Sequence, residues 1–209
     1  MEQGPIFPSG AVGGLTSVTR RLIAERLAAP LPAPRHRFER PPSDRRPTPA
    51  AVLIALLDRP QGLSILLTQR TDHLSHHAGQ ISFPGGRIED SDSDPIAAAL
   101  REAEEEIGLS PARVEVLGRM SDYVTTTGFT IVPVVGALSG TITLTPDPFE
   151  VAEIFELPLA FILDPDHHLQ KSRMLDGIER FFWQLPFEGR NIWGATAGML
   201  VEFSDLLRG

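Results

Sequence analysis

The sequence contains no cysteine, one tyrosine and two tryptophans, and no unbroken apolar run longer than residues 50–57. Without cysteine there is no disulfide framework, no cysteine nucleophile and no cysteine-ligated zinc or iron–sulfur site. That fits a reducing compartment, and the cytoplasm is the expected location. The apolar run falls far short of the ~20 residues that span a bilayer. No charged-then-apolar secretory signal is seen at the start, so no membrane partner is expected. Basic residues are also scarce: 19 Lys and Arg against 27 Asp and Glu give a net charge of -8 over 209 residues. An acidic balance argues against nucleic acid as a partner. Taken whole, it also disfavours a phosphate-bearing ligand.

What is present is a folding composition, 42% hydrophobic and 22% charged. The charge is unevenly spread. Residues 1–85 carry +4, residues 86–109 carry -6 and residues 110–209 carry -6. The middle block is short, so its acidity is concentrated.

Two segments are expected, an N-terminal extension over 1–49 and a folded domain over 50–209. Within the extension, Leu15, Val18, Leu22, Ile23 and Leu27 recur at helical spacing. Residues 30–49 hold seven prolines and five arginines, the mark of an extended linker. From residue 50 the pattern becomes strand-like. Residues 50–57 and 63–68 flank the turn signal Asp58-Arg59-Pro60-Gln61-Gly62 and predict a hairpin. Residues 80–83 form a short strand, closed by Pro84-Gly85-Gly86. Further strands are expected at 114–117, 130–135, 141–144, 152–157 and 181–185, with a closing helix over 195–207. The clearest helix has Asp94 as N-cap, Pro95 at its first position and Gly108 as its stop. The fold class is α/β (α+β), a sandwich around a mixed sheet.

On that helix Glu102, Glu105 and Glu106 stand at i, i+3 and i+4, which puts all three on one face. Like charges so spaced destabilise a helix by a few tenths of a kcal/mol, roughly 0.2–0.5 per pair. A hard divalent cation relieves the conflict, because Mg²⁺ or Mn²⁺ prefers carboxylate oxygen. Arg101, one turn before Glu105, is placed to orient it. The preceding Gly85-Gly86 lets the backbone approach a ligand closely. Strand, glycine turn, acidic loop and carboxylate-faced helix together suggest a cradle for a metal-bound diphosphate.

Gly85-Gly86 followed by Arg101-Glu102-Ala103-Glu104-Glu105-Glu106-Ile107-Gly108-Leu109 resembles the Nudix box, whose second half has the form R-E-U-x-E-E-x-G-U with U apolar. The first half departs from it. Asp92 replaces a glutamate, and the interval from Gly86 to Arg101 is one residue longer than usual. The coenzyme A pyrophosphatase branch of the Nudix family is similar in that longer, Asp-rich loop. It is also similar upstream, where Leu66-Leu67-Thr68-Gln69-Arg70 leads to Gly79-Gln80-Ile81-Ser82-Phe83-Pro84-Gly85-Gly86. Thr71 and Ser75 differ from the branch pattern, which has Ser or Ala at the first and Arg at the second. Thr126-Thr127-Gly128-Phe129 and residues 150–159 also resemble the branch.

The resemblance implies a Nudix-like α/β/α sandwich and metal-dependent cleavage of a diphosphate. It implies Glu102, Glu105 and Glu106 as ligands of Mg²⁺ or Mn²⁺, with the Gly86 carbonyl as a fourth, and Arg70, His77 and Gly85 as substrate contacts. Coenzyme A or a thioester would yield 3′,5′-ADP and 4′-phosphopantetheine or its acyl form. Glu150, Glu153 and Glu156 are candidates for a general base. In a regular strand Glu153 faces away from the other two. The pattern alone does not choose; Glu153 is taken as the expected base, with a structural role as its alternative. Two other functions stay open: hydrolysis of another nucleoside diphosphate derivative such as ADP-ribose or NADH, and a non-catalytic nucleotide-binding module. Residues 181–183, Phe-Phe-Trp, offer a surface for a homodimer. Two or three bound divalent ions would add roughly +4 to +6 and bring the acidic block near neutrality.

Overall fold

In the computed structural model, residues 6–7, 19–31, 46–73, 78–175 and 177–208 are described. Most of the proline-rich linker and His77 lie outside them. The elements begin with β1 (Ile6–Phe7), α1 (Arg20–Ala28), β2 (Thr48–Arg59), β3 (Gly62–Arg70), β4 (Ile81–Ser82), β5 (Gly85–Arg87) and α2 (Pro95–Ile107). They continue with β6 (Val114–Arg119), β7 (Tyr123–Val124), β8 (Phe129–Leu138), β9 (Ile142–Thr143), β10 (Val151–Pro158) and α3 (Leu159–Leu163). The last are β11 (Leu169–Leu175), β12 (Ile178–Phe187), β13 (Arg190–Trp193) and α4 (Gly194–Arg208).

The main sheet runs β10-β3-β2-β8-β6, with β4 on β3, β5 on β2 and β7 on β8. β2 and β8 pair in parallel and the other pairs are antiparallel, so the sheet is mixed, as the sequence predicts. β11, β12 and β13 form a separate antiparallel sheet.

β2 shows how the sandwich follows from sequence. Side chains alternate across a strand, and here both sides are buried. Ala51, Leu53, Ala55 and Leu57 join a core with Ala98, Ala99, Ala103 and Ile107 of α2. Ile54 and Leu56 point the other way, into a core with Ile23 and Leu27 of α1, Ile162 of α3 and Leu200 and Phe203 of α4. The small side chains of Ala98, Ala99 and Ala103 let the α2 axis approach the sheet closely. Truncating a fully buried Leu53 there would cost about 2–5 kcal/mol. Asp94 Oδ1 accepts from Ala97 N at 2.8 Å, and Gly108 ends α2 in the left-handed conformation at φ 67°.

Among the described residues, no helix is long and apolar enough to cross a membrane.

Candidate active site

Two glycines of β5 sit against the centre of the sheet. Gly85 pairs with Val52 and Gly86 with Ala51. Gly85 has φ +151°, and a Cβ there would lie 2.4 Å from the Ala51 carbonyl oxygen, so only glycine fits. At Gly86 the space a Cβ would fill is occupied by the Glu102 carboxylate, 2.5 Å from that position. The Gly-Gly pair therefore admits the acidic face of α2 to the strand.

The three helix carboxylates grade from core to solvent. Glu106 is only 6% exposed, whereas the Glu105 side chain is 60% exposed. The Gly85 N–H donates to Glu106 Oε2 at 3.1 Å, and Arg70 Nη1 at the end of β3 stands 3.6 Å from Oε1. Burial pushes the Glu106 carboxyl up to about 7; the Gly85 N–H and Arg70 oppose the rise, and the charges of Glu102 and Glu150 add to it. Burial also raises Glu102, against the opposing pull of Arg101.

Arg101 ties the helix to the acidic loop before it. Its Nε and Nη2 donate to the two Asp92 carboxylate oxygens at 3.0 and 3.1 Å, and Nη2 also donates to the Arg87 carbonyl. Asp92 further accepts from Glu89 N at 2.8 Å. The Arg101 bond holds the Asp92 carboxyl below its ordinary value. Arg101 Nη1 reaches Glu105 Oε2 at 2.9 Å and lies 3.1 Å from Glu102 Oε1. A single guanidinium thus holds three carboxylates, and Asp92 closes the longer loop upon it.

The three base candidates have three different partners. β10 carries a bulge between Val151 and Glu153, which breaks the regular alternation of faces. Glu153 pairs with Arg190 of β13. Glu156 is held by both Nε and Nη2 of Arg59, at 2.8 and 2.7 Å. Glu150, just before the strand, lies 3.8 Å from Arg70 Nη2 and acts electrostatically on Glu102 and Glu106. The structure thus joins Gly85, Gly86, Arg70, Arg101, Glu102, Glu105, Glu106 and Glu150, and sets Glu153 in an ion pair with Arg190. Its pairing partner, 37 residues away, left no local signal in the sequence.

Among the described residues, no three acidic or histidine side chains converge closely enough, as they stand, to hold a metal ion. The cause is visible: Arg101 draws Glu102 and Glu105, while Glu106 turns to Gly85. The donor set nevertheless suits a hard divalent cation. It is all oxygen, two of its carboxyls are destabilised as anions, and Gly86 leaves room beside Glu102.

The NUDIX domain family matches residues 47–177. The chain is 43% identical over 159 residues to a protein of Escherichia coli O7:K1 named "Uncharacterized Nudix hydrolase NudL", covering 74% of this chain and 80% of that protein. A protein of the same name from Shigella flexneri serotype 5b is 41% identical over 177 residues, covering 81% and 90%. Among solved structures, the MutT protein from Methanosarcina mazei Go1 superposes with a TM-score of 0.51 at 18% identity, covering 80% of this chain and 97% of that one. That last likeness is one of fold.

Proposed function

The chain belongs to the Nudix hydrolase family, and from that premise we propose that it hydrolyses the diphosphate bond of coenzyme A or its thioesters. The observation that carries this is the place of Arg70. It belongs to the upstream signature by which the sequence resembles the coenzyme A branch, and its guanidinium bridges Glu106 of the box and Glu150 of the β10 approach. The upstream signature and the box therefore act as one site.

Glu102, Glu105 and Glu106, with the Gly86 carbonyl, are the groups that would hold the divalent metal Nudix hydrolases generally use, Mg²⁺ or Mn²⁺. When bound, such an ion neutralises diphosphate oxygens and lowers the pKa of a bound water. The remaining work falls to the chain. Arg70 exchanges its carboxylate partners for a non-bridging phosphate oxygen and offsets charge there. Arg101 releases Glu105 towards the site while keeping Asp92, so the loop stays closed on the helix. The Gly85 N–H fixes the orientation of the Glu106 carboxyl. Glu150 accepts the proton of the attacking water. It replaces Glu153 in that role because Glu153 is committed to Arg190 and Glu156 to Arg59, whereas Glu150 is the carboxylate beside Arg70 and Glu106. The products are 3′,5′-ADP and 4′-phosphopantetheine or its acyl derivative.

The test of the site is coenzyme A hydrolysis by Glu105→Gln and Glu106→Gln. Each abolishes metal-dependent turnover while circular dichroism stays that of the parent. Turnover retained in both refutes the assignment.

A further inference from the structure

A second polar feature lies outside the catalytic carboxylates. A cavity of about 340 Å³ opens between the face of β11–β13 and the turn after β7. That is near the lower end of the ~300–1,000 Å³ typical of small-molecule sites, room for part of a ligand. Arg173 and Arg180 line it and are directly paired across β11 and β12, so their side chains share a face. Lys171 stands two residues along on the same face. Like charges directly opposed on a sheet cost stability. Among the described residues neither guanidinium has an acidic partner, and Arg180 Nε is buried without a hydrogen bond. In a chain of net charge -8, such a cluster is out of keeping with the rest.

Arg173 is also pre-positioned. Its guanidinium lies over the Phe182 and Trp193 rings, 5.9 and 5.4 Å from their centroids, and those rings meet edge-on at 5.8 Å. A guanidinium seated on aromatic faces keeps its in-plane N–H edges free for an oxyanion. Residues 125–127, all threonine, form the opposite wall, and the first turn of α4 adds to it.

Two of the cavity's walls continue into elements that carry active-site residues. Gln80, on one wall, accepts the backbone N–H of Arg70 at 2.9 Å. Past the threonine turn on the other wall, the Phe129 ring lies 5.9 Å beneath the guanidinium of Arg87, the residue after Gly86.

We propose that this cavity binds a phosphomonoester on the nucleoside end of the substrate, distinct from the diphosphate that is cleaved, with Arg173 and Arg180 as its ligands. The proposal rests on the coenzyme A reading: of coenzyme A, ADP-ribose and NADH, only coenzyme A carries such a monoester beside its diphosphate.

Coenzyme A and dephospho-coenzyme A differ only in that group. The ratio of their kcat/KM values falls about tenfold or more in Arg173→Met and in Arg180→Met. Residual turnover of dephospho-coenzyme A reports that each variant is folded. Calorimetry on the metal-free protein with 3′,5′-ADP and 5′-AMP gives a second readout. The parent favours 3′,5′-ADP by about tenfold, and both variants lose that preference. Unchanged ratios and an unchanged preference overturn the proposal even where coenzyme A is the substrate. A parent that discriminates the two nucleotides through these arginines yet does not cleave coenzyme A keeps the cavity assignment and removes the coenzyme A reading.

Discussion

The Glu102 carboxylate occupies the place of the side chain that Gly86 lacks: a Cβ at Gly86 would fall 2.5 Å from its carboxyl carbon. Gly86→Ala must therefore displace Glu102. That carboxylate ends a flexible side chain, so stability falls by only about 1 kcal/mol, while activity falls about 100-fold through misplacement of a catalytic group. Gly85→Ala behaves differently. Its Cβ meets backbone, and φ +151° is strained for any L side chain, so about 3 kcal/mol of stability is lost. Thermal melts and steady-state rates on both variants check the contrast; equal melting points would contradict it.

Glu106 makes the metal-free protein sensitive to pH. Its folded-state pKa, about 7, lies above the ordinary 4.5, so the folded state binds the proton more tightly than the unfolded one. The stabilising contribution is fully present below pH 4.5 and is lost as pH rises through 7, by about 3 kcal/mol in all. Glu106→Gln, a neutral mimic of the protonated form, flattens that dependence and matches or exceeds the parent in stability at pH 8 without metal. Denaturant unfolding at pH 5 and pH 8 measures it; a Gln variant less stable than the parent at pH 8 contradicts it.

Glu150 and Glu153 have different partners, Arg70 and Arg190. Glu150→Gln lowers kcat about 100-fold or more, the usual worth of a general base. Glu153→Gln loses a partly exposed ion pair with Arg190, worth about 1 kcal/mol, and keeps kcat within a few-fold. If Glu153→Gln carries the larger loss of kcat, the assignment of Glu150 fails.

Asp92 carries the longer loop. Asp92→Ala removes both Arg101 bonds and the bond from Glu89 N, freeing Arg101 to compete for Glu102 and Glu105. The expected result is a higher Mg²⁺ concentration for half-maximal rate, read from a metal titration at saturating substrate. An unaltered metal dependence counts against this role.

The parts of the fold legible in the sequence are those set by local chemistry. Asp94, Pro95 and Gly108 mark α2 almost to the residue, and the apolar runs flanking Asp58 to Gly62 mark the β2–β3 hairpin. What escaped depends on distant partners. Gly85-Gly86 reads as a turn, yet pairing with β2 makes it strand β5. β11 is polar, Gln170-Lys171-Ser172-Arg173, and exists because β12 folds back on it. The bulge in β10 breaks the regular alternation of faces that a sequence reading of residues 150–156 assumes. The box carboxylates, Arg101 and Arg70, which the structure brings together, stand in patterns visible in the sequence. Arg173 and Arg180, brought together by the β11–β12 pairing, have no motif around them.

The most direct test of the central claim is product identification. The protein is incubated with Mg²⁺ or Mn²⁺ and, separately, coenzyme A, ADP-ribose, NADH and nucleoside triphosphates, and the products are resolved by mass spectrometry. The expected result is preferred conversion of coenzyme A to 3′,5′-ADP and 4′-phosphopantetheine. Turnover of ADP-ribose alone, with coenzyme A left intact, would contradict it.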